Sequence, residues 1–327
     1  MKIQKILATK KDNPLIPRNP ADPAGQMPTV KRLFRDLKKR FSRINSDVQK
    51  LVSEQKQYQT RITTNKAYYE YQIDEQRYAS INDFILRVLR NELLESYDGS
   101  KPFSWFYQSY LEQSFIDGIN DQIYSAQSMA DPAIAGEEIS QQIMNLQEGN
   151  VSPQQQQRLG LVYARVFEEM AGLTNSMKTD LAETLTRGMA NGLGITAIAR
   201  DIKKRVQVGF SRAQRIARTE ILGAYRTATR SEQKDINETI YADSEWHMAL
   251  LWWSALTSTT RSWHASKHGE ILTAQEVDEF YSVNGNAIQC YCSHGPVLVN
   301  KKTGETPQQD LIDKMKRQLK VWRVGVV

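Results

Sequence analysis

The chain has 327 residues, 40% of them hydrophobic and 24% charged, with a formal net charge of +6. That balance supplies a core and excludes wholesale disorder, and its most apolar run, Met248–Trp253, falls far short of the ~18 residues a membrane span needs. Only two cysteines occur, Cys290 and Cys292, which excludes a disulfide-stapled secreted fold; Ile6-Leu7-Ala8 is too short for a signal-peptide core, and the length predicts two or three units.

Five of the ten prolines fall at positions 14, 17, 20, 23 and 28. Proline blocks helix continuation and removes a ladder donor, so residues 1–28 are expected to form an extended leader. From Thr29, read as an N-cap, Val30, Leu33, Phe34, Leu37, Phe41, Ile44, Val48, Leu51 and Val52 follow the spacing of one helix face. The opposite face is basic: Lys31, Arg32, Arg35, Lys38, Lys39, Arg40 and Arg43. It reads either as a solvated face or as contact with phosphates or an acidic protein surface. Helical periodicity continues over 72–97 and 103–129, giving a helical domain over 29–146. Tyr68, Tyr69, Tyr71, Tyr78, Tyr107, Tyr110 and Tyr124 are expected as half-buried rings between helices rather than a base-stacking platform.

Residues 147–210 read as a linker and helices over 160–171, 173–189 and 196–206, with breaks at Asn191–Gly194 and at Gly209-Phe210-Ser211. A second basic group follows in Lys203, Lys204, Arg205, Arg212 and Arg215, beside small residues that permit close helix approach. After Asn237 the character changes. Trp252–Leu256 gives a strand and Thr257–Thr260 a turn, Ala274–Tyr281 a short helix, and Pro296–Val299 a closing strand. Residues 300–327 form a polar tail with a helix over 308–321. The expected fold is mainly α: long N-terminal helices, then a small C-terminal α+β module with a short antiparallel sheet or hairpin.

All four histidines and both cysteines lie between His247 and His294. His264 and His268 would share a helix face, and Cys290, Cys292 and His294 would share a strand face. Zinc takes cysteine thiolates and histidines, so His264, His268, Cys290, Cys292 and His294 are the candidate metal ligands and a structural zinc the one cofactor they suggest. The other reading is a small buried thiol pair with hydrogen-bonded histidines. No complete set of acid, base and nucleophile is present, nor a His-Glu-x-x-His, a phosphate-cradling Gly-x4-Gly-Lys or a Gly-x-Ser-x-Gly, so no catalytic residue is assigned.

Ile216-Ala217-Arg218-Thr219-Glu220 followed by a small-residue helix resembles the signature of the phage head morphogenesis proteins, the Mu F-like minor capsid proteins of tailed phages. Trp253-Ser254-Ala255-Leu256 with Thr259-Thr260-Arg261 resembles that family's tryptophan strand and turn. His264 with His268-Gly269, and Asn286 through Cys290-Tyr291-Cys292, resemble its hairpin and closing strand. Two positions depart: His268 replaces the usual aspartate, and Tyr291 the usual arginine between the cysteines. The resemblance spans about 211–299 and implies one module whose core is pinned by Arg218, Thr219, Glu220, Trp253, Arg261 and Gly269, with Arg218 and Glu220 holding helix to hairpin. It further implies a non-enzymatic minor head protein made in the host cytoplasm and carried inside the virion head near the portal vertex. Its implied partners are the portal protein, capsid or scaffold proteins and genomic double-stranded DNA bound without sequence preference, with no membrane. The alternative is a metal-dependent nuclease or hydrolase using the His/Cys cluster.

Overall fold

The computed structural model describes residues 13–63, 66–72, 74–95, 103–149 and 151–325. It is mostly helical and bears out the expected class. The chain runs α1 (Met27–Ser53), β1 (Gln57–Thr63), β2 (Lys66–Tyr71), α2 (Glu75–Leu93) and α3 (Ser104–Phe106). A π-helical turn over Tyr107–Leu111 leads into α4 (Glu112–Ser128), α5 (Pro132–Ala135), α6 (Glu137–Met144), α7 (Pro153–Ala190) and α8 (Ile195–Thr239). Then come β3 (Trp246–Trp253), α9 (Ser262–Ala265), β4 (Ile271–Leu272), α10 (Ala274–Ser282), β5 (Ser293–Asn300) and α11 (Gln309–Gly325).

The divisions read from the sequence are not those of the fold. One compact unit takes the described residues up to Pro28, those of Glu112–Leu159, and those from Ile221 onward; the other takes Thr29–Leu111 and Gly160–Glu220. Both α7 and α8 contribute residues to each. The expected break at Gly209-Phe210-Ser211 does not occur, because α8 continues through it. A methyl group at Gly209 would stand 2.5 Å from Met177 Sδ, so this glycine lets α8 approach α7 closely, and Ser211 Oγ donates to the Gln207 carbonyl within the helix instead of capping. The two helices expected between 160 and 189 are likewise one, α7.

In the second unit, α1 buries Val30, Leu33, Leu37, Phe41, Ile44 and Val48, the stripe read from the sequence. The hairpin β1–β2, with Gln57 opposite Tyr71, was not expected. Tyr68, Tyr69 and Tyr71 lie on β2, not between helices, and the Tyr71 hydroxyl donates to the Leu193 carbonyl at 2.5 Å.

In the first unit, β3 is the centre of a three-stranded antiparallel sheet ordered β4-β3-β5. Alternate residues of β3 serve opposite faces. Ala249, Leu251 and Trp253 pack with Val297, Val299 and with Ile312 and Met315 of α11. Met248 packs with Leu298, Ile236, Ala126, Met129 and Ile143, while Leu250 and Trp252 pack with Leu272, Val277, Cys290 and Cys292. Burial on both faces explains the unbroken apolar run. β4 pairs only with Leu250 and Leu251, so Asn237 of α8 takes over at Met248, accepting from its amide and donating to its carbonyl, each at 2.8 Å.

The leader differs from an extended segment. Over the described residues 13–26 it forms turns, with Asn13 and Asn19 Oδ1 accepting from the amides of Leu15 and Ala21. Ala24 is buried against Leu222 and Tyr225, and the Asp22 carboxylate accepts from the Met27 amide at 2.7 Å, so α1 starts before Thr29. Residues 1–12 lie outside the described residues.

Candidate functional site

The Cys/His-bearing end of the first unit is built by three turns. After β3, Ser254 donates its hydroxyl to the His264 carbonyl at 2.5 Å and accepts from Trp252 Nε1 at 3.0 Å, which fixes the short helix α9 under the sheet. Arg261, just before α9, donates to the carbonyls of Asn286 (3.3 Å) and Ile288 (2.9 Å) and so clamps the loop that precedes the cysteines. Gln289 takes a left-handed backbone (φ 52°), a sparsely populated conformation for a non-glycine residue, directly before Cys290.

These turns bring His264, Cys290 and Cys292 together. One ligand atom from each lies within 4.8 Å of the others, all three residues are buried, and Cys290 Sγ is 3.3 Å from His264 Nδ1. The carboxamide of Asn286 is oriented by Nδ2 donating to the Phe280 carbonyl at 2.8 Å. Its Oδ1 therefore faces Trp263 Nε1 (3.0 Å), from which it accepts, and His264 Nε2 (3.3 Å). Arg261 Nη1 also stands 3.3 Å from His264 Nε2. The Cys292 thiol is raised by its hydrogen bond to Cys290 and by burial. Cys290 is held well below the ordinary thiol range by that same bond from Cys292, with the Arg226 guanidinium and His264 adding to it against burial. Arg226 is 1% exposed, donates to the Cys290 carbonyl and lies 4.7 Å over the Tyr281 ring.

The remaining candidate ligands stand elsewhere. His268 Nδ1 accepts from the Ser254 amide at 3.1 Å and Nε2 faces Gln318 Oε1 at 3.2 Å; burial lowers its value. His294 lies in β5 opposite Trp252 and is pushed well below the ordinary range by burial and then by Arg230 and Arg226. The expected shared strand face of Cys290, Cys292 and His294 does not form, since β5 begins only at Ser293. Among the described residues no carboxylate joins the cluster.

Of the motif residues, Gly269 has φ +83°, and a methyl there would sit 3.2 Å from Met315 Cβ. Trp253 packs its ring against His268 at 5.8 Å. Arg218 and Glu220 do not pair with each other. In the second unit Glu220 accepts from Arg165 of α7 at 2.6 Å, Arg218 lies 5.0 Å over the Phe34 ring, and Thr219 is half-buried between them.

The basic face of α1 divides. Arg40 is buried, donates to the Glu92 carbonyl at 2.7 Å and covers the Trp105 ring at 3.8 Å. Arg43 makes a two-pronged bond to Glu92, and Arg32 donates to the Ser109 carbonyl at 3.0 Å. Lys39 stands 3.9 Å from Asp36. Lys31, Arg35 and Lys38 are exposed. On α8, Lys204 bonds Asp201 and Arg212 bonds Ser176, while Lys203, Arg205 and Arg215 are exposed.

The site falls inside a segment shared with other proteins: residues 179–294 match the family model described as Phage Mu protein F like protein. That segment is similar to the Mu F-like proteins, which bears out the resemblance carried by Arg218-Thr219-Glu220 and Cys290-Tyr291-Cys292. No curated protein and no solved structure gives a match. Among the described residues no helix is long and apolar enough to cross a membrane.

Proposed function

We propose that the protein is a minor structural component of a tailed-phage head. It is seated inside the head at or near the portal, and it acts in assembly and in DNA packaging or ejection without catalysing a reaction. The observation that carries this reading is the Mu F-like segment over 179–294. The chemistry of the Cys/His end is in keeping with a non-enzymatic role. Cys290 is 5% exposed and Cys292 2%, so neither thiol meets a substrate from solvent. Portal and DNA contact draw on the exposed cations Lys31, Arg35 and Lys38 of α1 and Lys203, Arg205 and Arg215 of α8, which suit acidic protein surfaces and phosphates.

The test is the composition of assembled particles. A few copies per head, cross-linking to the portal protein, are expected. Absence from purified particles would sink the structural reading. Duplex cleavage by the pure protein, lost on chelation and in a His264→Ala variant, would replace it with the nuclease alternative.

A further inference from the structure

We propose that His264 Nδ1, Cys290 Sγ and Cys292 Sγ bind one zinc ion, which ties α9 to the chain leading into β5. The inference does not depend on the head-protein reading, because it concerns the purified chain alone.

Four observations converge. First, the three atoms already stand within 4.8 Å of one another, with Cys290 Sγ 3.3 Å from His264 Nδ1. Zinc–sulfur bonds of about 2.3 Å and zinc–nitrogen bonds of about 2.0 Å put tetrahedral ligands about 3.5–3.8 Å apart. Closing the set around an ion therefore needs shifts of an ångström or less.

Second, the imidazole is held as a ligand must be. Asn286 Nδ2 is committed to the Phe280 carbonyl, which leaves Oδ1 as an acceptor facing His264 Nε2 at 3.3 Å, while the Arg261 guanidinium near the same nitrogen donates to the Asn286 and Ile288 carbonyls. A proton on Nε2 leaves the Nδ1 lone pair aimed at the thiols. This outer contact is the kind that fixes tautomer and ring orientation at metal sites.

Third, the charge around the thiols suits a filled site. The buried Arg226 guanidinium donates to the Cys290 carbonyl. Two thiolates, a neutral imidazole and a divalent ion sum to no net charge, so the guanidinium is not repelled by the filled site.

Fourth, the backbone is bent to present the ligands. Gln289 adopts φ 52° and the Arg261 clamp on Asn286 and Ile288 holds that bend. Strain of this kind persists where surrounding structure over-determines it. The described residues supply three protein ligands, which leaves one tetrahedral position to a ligand outside this set.

The experiment uses the full chain, purified under reducing conditions without chelator. About one zinc per chain by elemental analysis is expected. Cobalt(II) titration of the metal-stripped protein should give thiolate charge-transfer absorption that saturates at one equivalent. Both signals should be lost in Cys290→Ser and Cys292→Ser and kept in His268→Gln. Should the cysteine variants fail to fold, the unaltered chain decides: one equivalent of zinc added to the metal-stripped protein must raise its melting temperature, and chelator must reverse the rise. A chain that carries no zinc and takes up no cobalt overturns the proposal. So does a chain whose melting temperature is the same with and without zinc, or one that isolates with a Cys290–Cys292 disulfide.

Discussion

Glu220 turns away from Arg218, two positions before it on α8, and accepts from Arg165 of α7 at 2.6 Å. Its side chain is only 10% exposed whereas that of Arg165 is 55% exposed. Burial raises the Glu220 carboxyl above its ordinary value, and Arg165 works against that rise. Arg165→Ala leaves a buried carboxylate with water on one side only, and should lower stability by about 1–2 kcal/mol in denaturant titration, less than for a dry pair. Glu220→Gln, which keeps an acceptor and removes the charge, should be milder. Equal melting curves for Arg165→Ala and the parent would show that the bond carries no weight.

Asp121 of α4 accepts from the Tyr225 hydroxyl at 2.8 Å in the first unit. Burial pushes its carboxyl up to about 6, with Asp117 and Glu148 adding and Tyr225 and Arg18 opposing. The folded chain therefore holds a proton here that the unfolded chain has released. Stability must fall as pH rises from about 4 to about 6, by up to about 3 kcal/mol from this group. In Asp121→Asn that part of the slope should vanish and the chain should gain stability at pH 8. A variant whose pH profile parallels the parent's would contradict the assignment.

Gly118 on α4 meets α8 with no side chain between them. A methyl there would stand 2.4 Å from the Tyr225 carbonyl oxygen and 2.9 Å from Ala228 Cβ. Backbone cannot yield as a flexible side chain can, so Gly118→Ala should cost about 1–3 kcal/mol by overpacking, although alanine is the better helix former. A neutral or stabilising result in thermal melts would mean that the two helices separate easily.

Duplex DNA should bind without sequence preference, with affinity falling steeply as salt rises because each neutralised phosphate releases counterions. Charge reversal at Lys31, Arg35 and Lys38 should weaken that binding with folding intact. Arg40→Ala should instead impair folding, since its guanidinium is committed to the Glu92 carbonyl and the Trp105 ring. A sequence-selective or salt-insensitive gel shift would count against this assignment of the cations.

A fragment of residues 211–299 alone should not fold cooperatively. It omits Ile312 and Met315, which cover one face of β3, and Ala126, Met129 and Ile143, which cover Met248. A sharp calorimetric transition from that fragment would show that it stands by itself.

The sequence declared helical periodicity well. The stripe from Val30 to Val52 is the buried face of α1, and the short helix expected over Ala274–Tyr281 is α10. Helix ends were less legible. Gly209 reads as a breaker because glycine disfavours helix locally, but at a helix crossing its missing side chain is what allows the approach to Met177. The hairpin escaped because Lys66–Tyr71 alternates too briefly to outweigh the helical pattern around it. At the site, the confinement of every histidine and cysteine to 247–294 was visible in composition alone, but which of them meet was not. Their supports were not: Asn286, Ser254 and Arg226 act from other elements, and only the folded chain places them. The same holds for Glu220, whose partner Arg165 lies 55 positions earlier on another helix.

The stretch that recurs among relatives starts inside α7 and stops at His294, the second residue of β5. Six of the eight cross-strand pairs between β3 and β5, from Leu251 opposite Gly295 to Trp246 opposite Asn300, therefore lie past its end. What is inherited is a seam and not a brick. A chimera spliced at the borders of similarity would sever a ribbon in mid-ladder. Exchange between relatives should join instead in the turn after Asn300, where no such ladder is cut.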